Sequence, residues 1–418
     1  METKVAQTLP DAYNNLDPNT PLPGEEHPFY VHRPEIFQPS LLFEALQLTR
    51  ADDKILFSGH KGSGKSTELQ RLAQHLKERY LVAYIAIEDM LDLGDITYHD
   101  VLLSMAVKLW ESADEGGVRL PEGLQSDLRN WYRRLVFEEE EVREEPEITF
   151  GAKFVIDFGL RWRSGPTVRK TIRAEVERRL SELLTLLNQL IAEIQKKGGR
   201  LPLVLLDGLD KVYVEEKVKN MFLEGVGALI APACPIVYTV PISLLYMPEL
   251  GGVRMSFRLQ SQLPNVRPFN RDGSRCQEGW GMLDEILRRR VDESILPADA
   301  RDALISLSGG VLKHLLSFAG EAVLRAMGRG EEKAPVCVED VEFVAHRNRV
   351  ALAPIFNASQ RKELKRVARE HNFINTPGAR DLALNLHILQ YIEKTDGEEE
   401  WWDVHPLLKP ILEVWSDE

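Results

Sequence analysis

Gly59-His60-Lys61-Gly62-Ser63-Gly64-Lys65-Ser66-Thr67 fits the pattern G-x-x-x-x-G-K-[ST] throughout. The apolar Ile55-Leu56-Phe57 leads into it, and a helical run from Glu68 to Arg79 leads out. Strand, glycine loop and helix in that order give the motif a physical mechanism. The glycines let backbone N–H groups curl round phosphate oxygens, and the helix N-terminus adds partial positive charge. Lys65 is placed to set a point charge on the β- and γ-phosphates, and the Ser66 hydroxyl to reach Mg2+. The expectation is a site for a nucleoside triphosphate with Mg2+, built from every residue of Gly59 to Thr67. A plain Gly/Ser/Lys surface turn is the alternative, and a second matching motif downstream argues against it.

The chain has 418 residues, enough for two to three domains, and 44% of them are hydrophobic. The net charge of −13 does not attract DNA at long range, although a local basic face stays open. Cys234, Cys276 and Cys337 are far apart and lack metal-ligand spacing, which fits buried thiols in a reducing compartment. There is no signal-peptide pattern, and no apolar run reaches the roughly 18 residues of a membrane helix. A soluble cytoplasmic protein without a membrane partner is expected.

Residues 1–28 carry Pro10, Pro18, Pro21, Pro23 and Pro28 among polar residues and read as an extended arm outside the core. Leu81 to Ile87 is a continuous apolar run, the pattern of a parallel strand buried on both faces. Residues 99–110 read as a helix and 111–147 as polar, with the solvated run Glu138 to Glu141. Apolar residues then take every even position from Ile148 to Trp162, so 148–163 reads as a long strand or hairpin, with a membrane-active hairpin as the rival. From Ile172 to Ile194 the period changes to three and four, a single long helix ending at Lys196-Lys197-Gly198-Gly199.

Leu203-Val204-Leu205-Leu206-Asp207-Gly208-Leu209-Asp210-Lys211 follows at once. A buried strand ending in aspartate is a Walker B pattern, so Asp207 is expected to hold Mg2+ through water. Asp210, three residues on, is the candidate to orient the attacking water, with a turn carboxylate as its plainer reading. D-G-L-D after a strand, paired with this P-loop, resembles the STAND branch of AAA-type ATPases, including NACHT-like modules. It is also similar to the origin-recognition-type initiators. Lys211 departs from the acidic ending frequent there, which bears on hydrolysis and not on nucleotide binding.

The resemblance implies ATP as the nucleotide and further roles. Val31 and Arg33, in a V-x-R-x-E-like segment before the P-loop strand, stand where such switches contact adenine. Thr239, ending the strand Ile236 to Val240, stands where a polar sensor meets the γ-phosphate. Leu263-Pro264-Asn265-Val266-Arg267 looks like the last core strand, and Arg254 or Arg258 stands where an arginine finger reaches a neighbouring subunit. Ser308-Gly309-Gly310 resembles the start of the lid helix, with Lys313 in place of the sensor arginine; lysine supplies charge without a bidentate fork. Helices at 359–369 and 379–392, a polar turn 394–400, a strand 401–405 and a last helix 407–415 follow winged-helix logic.

The fold expected is α/β: a P-loop NTPase core with a parallel sheet, then a helical lid and a C-terminal winged-helix-like domain. The boundaries read as 1–28 arm, 29–270 core with an insertion at about 111–200, 271–350 lid and 351–418 winged helix. The function expected is an ATP-hydrolysing switch of the STAND/AAA type, forming a homo-oligomer and acting on a separate effector or sensor protein, in the manner of bacterial conflict or signalling systems. A DNA-binding initiator or loader is the rival, disfavoured because Glu398, Glu399 and Glu400 make an acidic wing. A small-molecule kinase is a third reading, without a separate acceptor site.

Overall fold

In a computed structural model, residues 4–39, 41–91, 93–136, 166–212, 214–330, 335–394 and 398–415 are described. Five strands form one sheet: β1 (Lys54–Ser58), β2 (Tyr80–Ala86), β3 (Leu201–Asp207), β4 (Ile236–Thr239) and β5 (Leu259–Gln262). Their order is β2-β3-β4-β1-β5, and every pairing is parallel. Parallel strands covered on both faces need apolar residues on both, which is why β1 and β3 are continuous apolar runs. Ile55, Phe57, Leu203 and Leu205 pack with α2 (Leu42–Leu48) and α3 (Lys65–Leu76) on one face. Leu56, Val204 and Leu206 pack on the other face, against α4 (Tyr98–Glu115) and neighbouring helices. All five strands point the same way, so the P-loop after β1, Asp207 ending β3 and Thr239 ending β4 meet at one edge. That carboxyl-end edge is where open parallel sheets bind ligands.

Several elements differ from the sequence reading. Residues 111–136 are largely helical: α4 continues to Glu115, and α5 (Glu122–Val136) buries Leu124, Leu128 and Trp131 at spacings of four and three. The charged residues between them obscured that stripe. The single helix expected over 172–194 is two, α6 (Pro166–Arg178) and α7 (Leu180–Gly198), because Arg179 takes a non-helical ψ of 25°. The apolar period runs on across the break, so it carried no sign of it. The last strand is Leu259–Gln262, not 263–267; after Leu263 N–H bonds Ser58 O, the chain leaves the sheet through Pro264. The alternating stretch 148–163 lies outside the described residues.

After α8 (Ile242–Leu245) and β5 come α9 (Gln277–Arg288), α10 (Ala298–Ser308), α11 (Leu312–Met327) and α12 (Val338–Leu352), which share a second core. The N-terminal arm belongs to that core and is not merely extended. Residues Leu9–Asn15 form α1, capped by Thr8 with Pro10 in the first turn, where its missing N–H does no harm. Leu9, Ala12 and Leu16 are buried at helical spacing against α11 and its neighbours, and Ala6 exchanges backbone bonds with Arg290 and Asp292. Leu9→Ala is therefore expected to cost about 2–5 kcal/mol in a thermal or urea melt. An arm lying free in solvent would show a change within about 0.5 kcal/mol.

The C-terminal residues hold α13 (Ala358–Glu370), α14 (Pro377–Leu384), the hairpin β6 (Ile388–Lys394) with β7 (Glu398–Val404), and the one-turn α15 (Lys409–Leu412). The helix expected over 379–392 stops at Leu384, since Leu386 takes a left-handed φ of 62°. The helix expected over 407–415 is that single turn. Leu364, Val367, Leu382, Ile388, Trp402 and Leu408 form a further core, which Ile242 of α8 joins. Among the described residues no helix is long and apolar enough to cross a membrane.

Candidate functional site

The P-loop runs from β1 into α3 in a shape only glycine tolerates. At Gly62, φ is +78°, and a Cβ would stand 2.5 Å from Lys313 Cβ. Lys65 is buried and its Nζ donates to the carbonyls of Gly59 (2.9 Å) and His60 (2.8 Å). The same ammonium pairs with Asp210 at 2.7 Å. Asp207 lies beside them, its carboxylate accepting from Tyr84 Oη at 2.6 Å. Burial, and then the charge of Asp210, raise the Asp207 pKa; the hydroxyls of Ser66 and Tyr84 pull the other way.

Ser58 Oγ, Ser63 Oγ, Asp207 Oδ1 and Asp210 Oδ1 are buried without a hydrogen-bond partner. Buried polar atoms are ordinarily paired. Unpaired oxygens around a P-loop lysine fit a site completed by phosphate and a hydrated cation. Among the described residues no group of three or more His, Cys, Asp or Glu side chains could hold a metal. A cation here would rest on Ser66, Asp207 and phosphate oxygens, the donor set Mg2+ takes in nucleotide sites.

The other sequence candidates fall as follows. Thr239 is fully buried; its hydroxyl donates to Leu206 O and accepts from Leu209 N–H, both at 3.2 Å, tying β4 to the turn that carries Asp210. Arg33 is buried beneath the loop, with Nη2 on Ser63 O and Nε on Glu68 at 3.2 Å. Burial pushes its guanidinium pKa down, and Glu68 pushes it back. In this geometry Arg33 braces the loop, while Val31 packs against the core shared by α9 to α12. Thr67 Oγ1 accepts the Leu22 N–H at 3.3 Å, which brings the N-terminal arm to the first turn of α3. Lys313 donates its backbone N–H to Gly62 O at 3.1 Å and its Nζ to Asn19 Oδ1 at 2.9 Å. Burial and the charges of Lys61 and Lys211 lower its pKa, and Glu88 and Asp17 oppose them. Lys211 itself pairs with Glu88 at 2.5 Å.

Arg254 and Arg258 are exposed and not gathered with the loop. The Arg258 N–H bonds Lys54 O, at the far end of β1 from the P-loop, about 13 Å away at the usual strand rise. Three features escaped the sequence reading: the Tyr84 hydroxyl on Asp207, the bracing by Arg33, and the His60 ring, whose Nε2 accepts the Gln390 N–H at 2.7 Å.

No family model matches the chain, and no curated protein does. Solved structures give likenesses of fold. Cdc6p from Pyrobaculum aerophilum is similar at 10% identity and a TM-score of 0.38, over 93% of this chain and 96% of that one. Drosophila ORC bound to DNA is similar at 12% and 0.39, over 98% and 93%. The Aeropyrum pernix ORC1 protein in complex with DNA is similar at 14% and 0.37, over 91% and 94%.

Proposed function

We propose that the chain is an ATP-dependent switch that hydrolyses ATP to ADP and phosphate. The observation that carries this is the Lys65–Asp210 pair, set between a P-loop and Asp207 with four unpaired buried oxygens around it. Phosphates entering the loop would draw Lys65 Nζ onto the β- and γ-oxygens and away from Asp210. Asp210, released, would then orient the attacking water. Ser66 and Asp207 would hold Mg2+, which supplies neutralisation of charge on the phosphate oxygens. Arg254 or Arg258, exposed and away from this chain's own P-loop, would reach the site of a neighbouring copy in a homo-oligomer, whose output would be a separate effector or sensor protein.

The test is ATP affinity, phosphate release and particle mass for Asp207→Asn and Asp210→Asn side by side. Asp207→Asn should weaken Mg2+-dependent binding and turnover together. Asp210→Asn should keep binding and slow hydrolysis, since a water-positioning residue acts mainly in the transition state. It should also lengthen the life of any ATP-dependent assembly. Wild-type hydrolysis by Asp210→Asn would reduce Asp210 to a turn residue.

A DNA-binding initiator or loader remains the second reading, favoured by the basic helix α13 with Arg361, Lys362, Lys365, Arg366 and Arg369. Two features of this chain temper it. Arg366 is held by Glu363 and Glu370, and Arg369 by Glu370. The helix preceding the hairpin, α14, packs on α8 of the core, and its Arg380 meets Glu215 at 3.4 Å. Fluorescence anisotropy with duplex DNA across a salt series separates the readings: tight, sequence-selective binding would promote the initiator.

A further inference from the structure

The second residue of the P-loop, His60, is 1% exposed and lies in the seam with the C-terminal hairpin. Its Nε2 accepts the backbone N–H of Gln390 in β6 at 2.7 Å, and its ring stands edge-on to Trp402 at 6.0 Å between centroids. The carbonyl of the same residue accepts from Lys65 Nζ at 2.8 Å. One residue thus joins the hairpin backbone to the P-loop lysine. Gln390 is fixed in turn. Its Nε2 donates to Tyr246 Oη (2.7 Å) and to Glu400 Oε2 (2.5 Å), and its Oε1 accepts from Gln262 in the edge strand β5. The seam continues through Tyr391 Oη on Gly309 O at 2.8 Å and Arg267 Nη1 on Ile392 O at 2.7 Å.

We propose that His60 is a positioning residue through which docking of the C-terminal hairpin sets the P-loop for nucleotide. With the hairpin in place, the Gln390 N–H orients the ring, the ring fixes the loop's second peptide, and that peptide's carbonyl holds Lys65 where phosphate must meet it. Undocking frees the peptide and loosens the lysine. The coupling is reciprocal: a nucleotide that stabilises this loop shape stabilises the docked hairpin by the same factor. The bond also dictates the ring's state. Nε2 must offer a lone pair, so the neutral ring carries its proton on Nδ1. Burial and the nearby Lys65 keep it neutral. This inference rests on the P-loop being the nucleotide site.

The experiment uses the full chain with His60→Ala and His60→Gln, reading ATP affinity and amide hydrogen exchange over residues 388–392 with and without ATP. In the wild type, ATP should slow exchange at Gln390. His60→Ala should bind ATP about tenfold more weakly and lose that ATP-dependent protection. His60→Gln, whose amide oxygen can accept the Gln390 N–H, should recover most of both, which a merely space-filling role would not require. Unchanged hairpin exchange when the wild type binds ATP overturns the proposal, whatever the variants do. So does His60→Ala with wild-type affinity and protection, or a His60→Gln no better than His60→Ala. A wild type that binds no ATP at all overturns the P-loop reading instead, and this proposal falls with it.

Discussion

Replacing Lys65 by alanine is expected to weaken ATP binding at least tenfold and, separately, to lower the stability of the fold by about 3–5 kcal/mol. The first effect follows from losing the point charge that meets the β- and γ-phosphates. The second follows from Asp210. Lys65 is 3% exposed and Asp210 5%, with 2.7 Å between them, so removing the ammonium strands a buried carboxylate. The carbonyls of Gly59 and His60 lose a donor as well. Melts must therefore accompany the titration. The double change Lys65→Met with Asp210→Asn tells the two effects apart. It removes both charges, so most of the stability should return while affinity stays low. Wild-type affinity in folded Lys65→Ala would mean that the loop does not bind nucleotide.

The parts of this site that were legible in the sequence are local. The glycine loop, Asp207 and Thr239 each lie at the end of an apolar strand, and a parallel sheet brings such ends to one edge without further instruction. The buried strands announced themselves as continuous apolar runs, because both faces of the sheet are covered. What stayed hidden depends on partners far along the chain. Arg33 meets Ser63 across 30 residues, Tyr84 meets Asp207 across 123, and His60 meets Gln390 across 330. No periodicity encodes such pairs. Helix α1 was concealed differently: Leu9, Ala12 and Leu16 do carry helical spacing, but the prolines that follow dominate the composition. At 388–392, Ile-Leu-Gln-Tyr-Ile suits a helix or a strand, and pairing with 400–404 decides for the strand.

Lowering the pH from about 7 to about 4.5 is expected to destabilise the folded chain steeply, beginning at the seam with the C-terminal unit. Four histidines gather there: His60 from the P-loop, His314 from α11, and His387 and His405 from either side of the hairpin. His405 Nδ1 accepts the Leu407 N–H at 3.1 Å, so its proton sits on Nε2, given to His314 Nδ1 at 2.9 Å. Burial pushes His60 down to about 3 and His314 and His387 to about 4, with His405 well below its ordinary value. Lys65 facing His60, Lys313 and His387 facing His314, and His314, His387 and His60 facing His405 all oppose protonation. The carbonyl of Ala383 at His60 and the backbone of Ser308 at His405 pull more weakly the other way. The folded pKa values lie below the unfolded value of about 6.5, so the unfolded chain binds more protons as the pH falls. Stability from these groups is whole above about 6.5 and is lost progressively toward their folded values. Each proton refused by the fold adds about 1.4 kcal/mol per pH unit to the slope, and up to four take part. Buried Asp207 and Asp100 do not explain such a loss, because burial raises their pKa values and acid relieves them. Urea midpoints across this range supply the measurement. The His314→Gln, His405→Gln double variant should show a shallower fall by about two protons, and a wild-type midpoint flat from about pH 7 to about pH 5 would refute the buried neutral cluster.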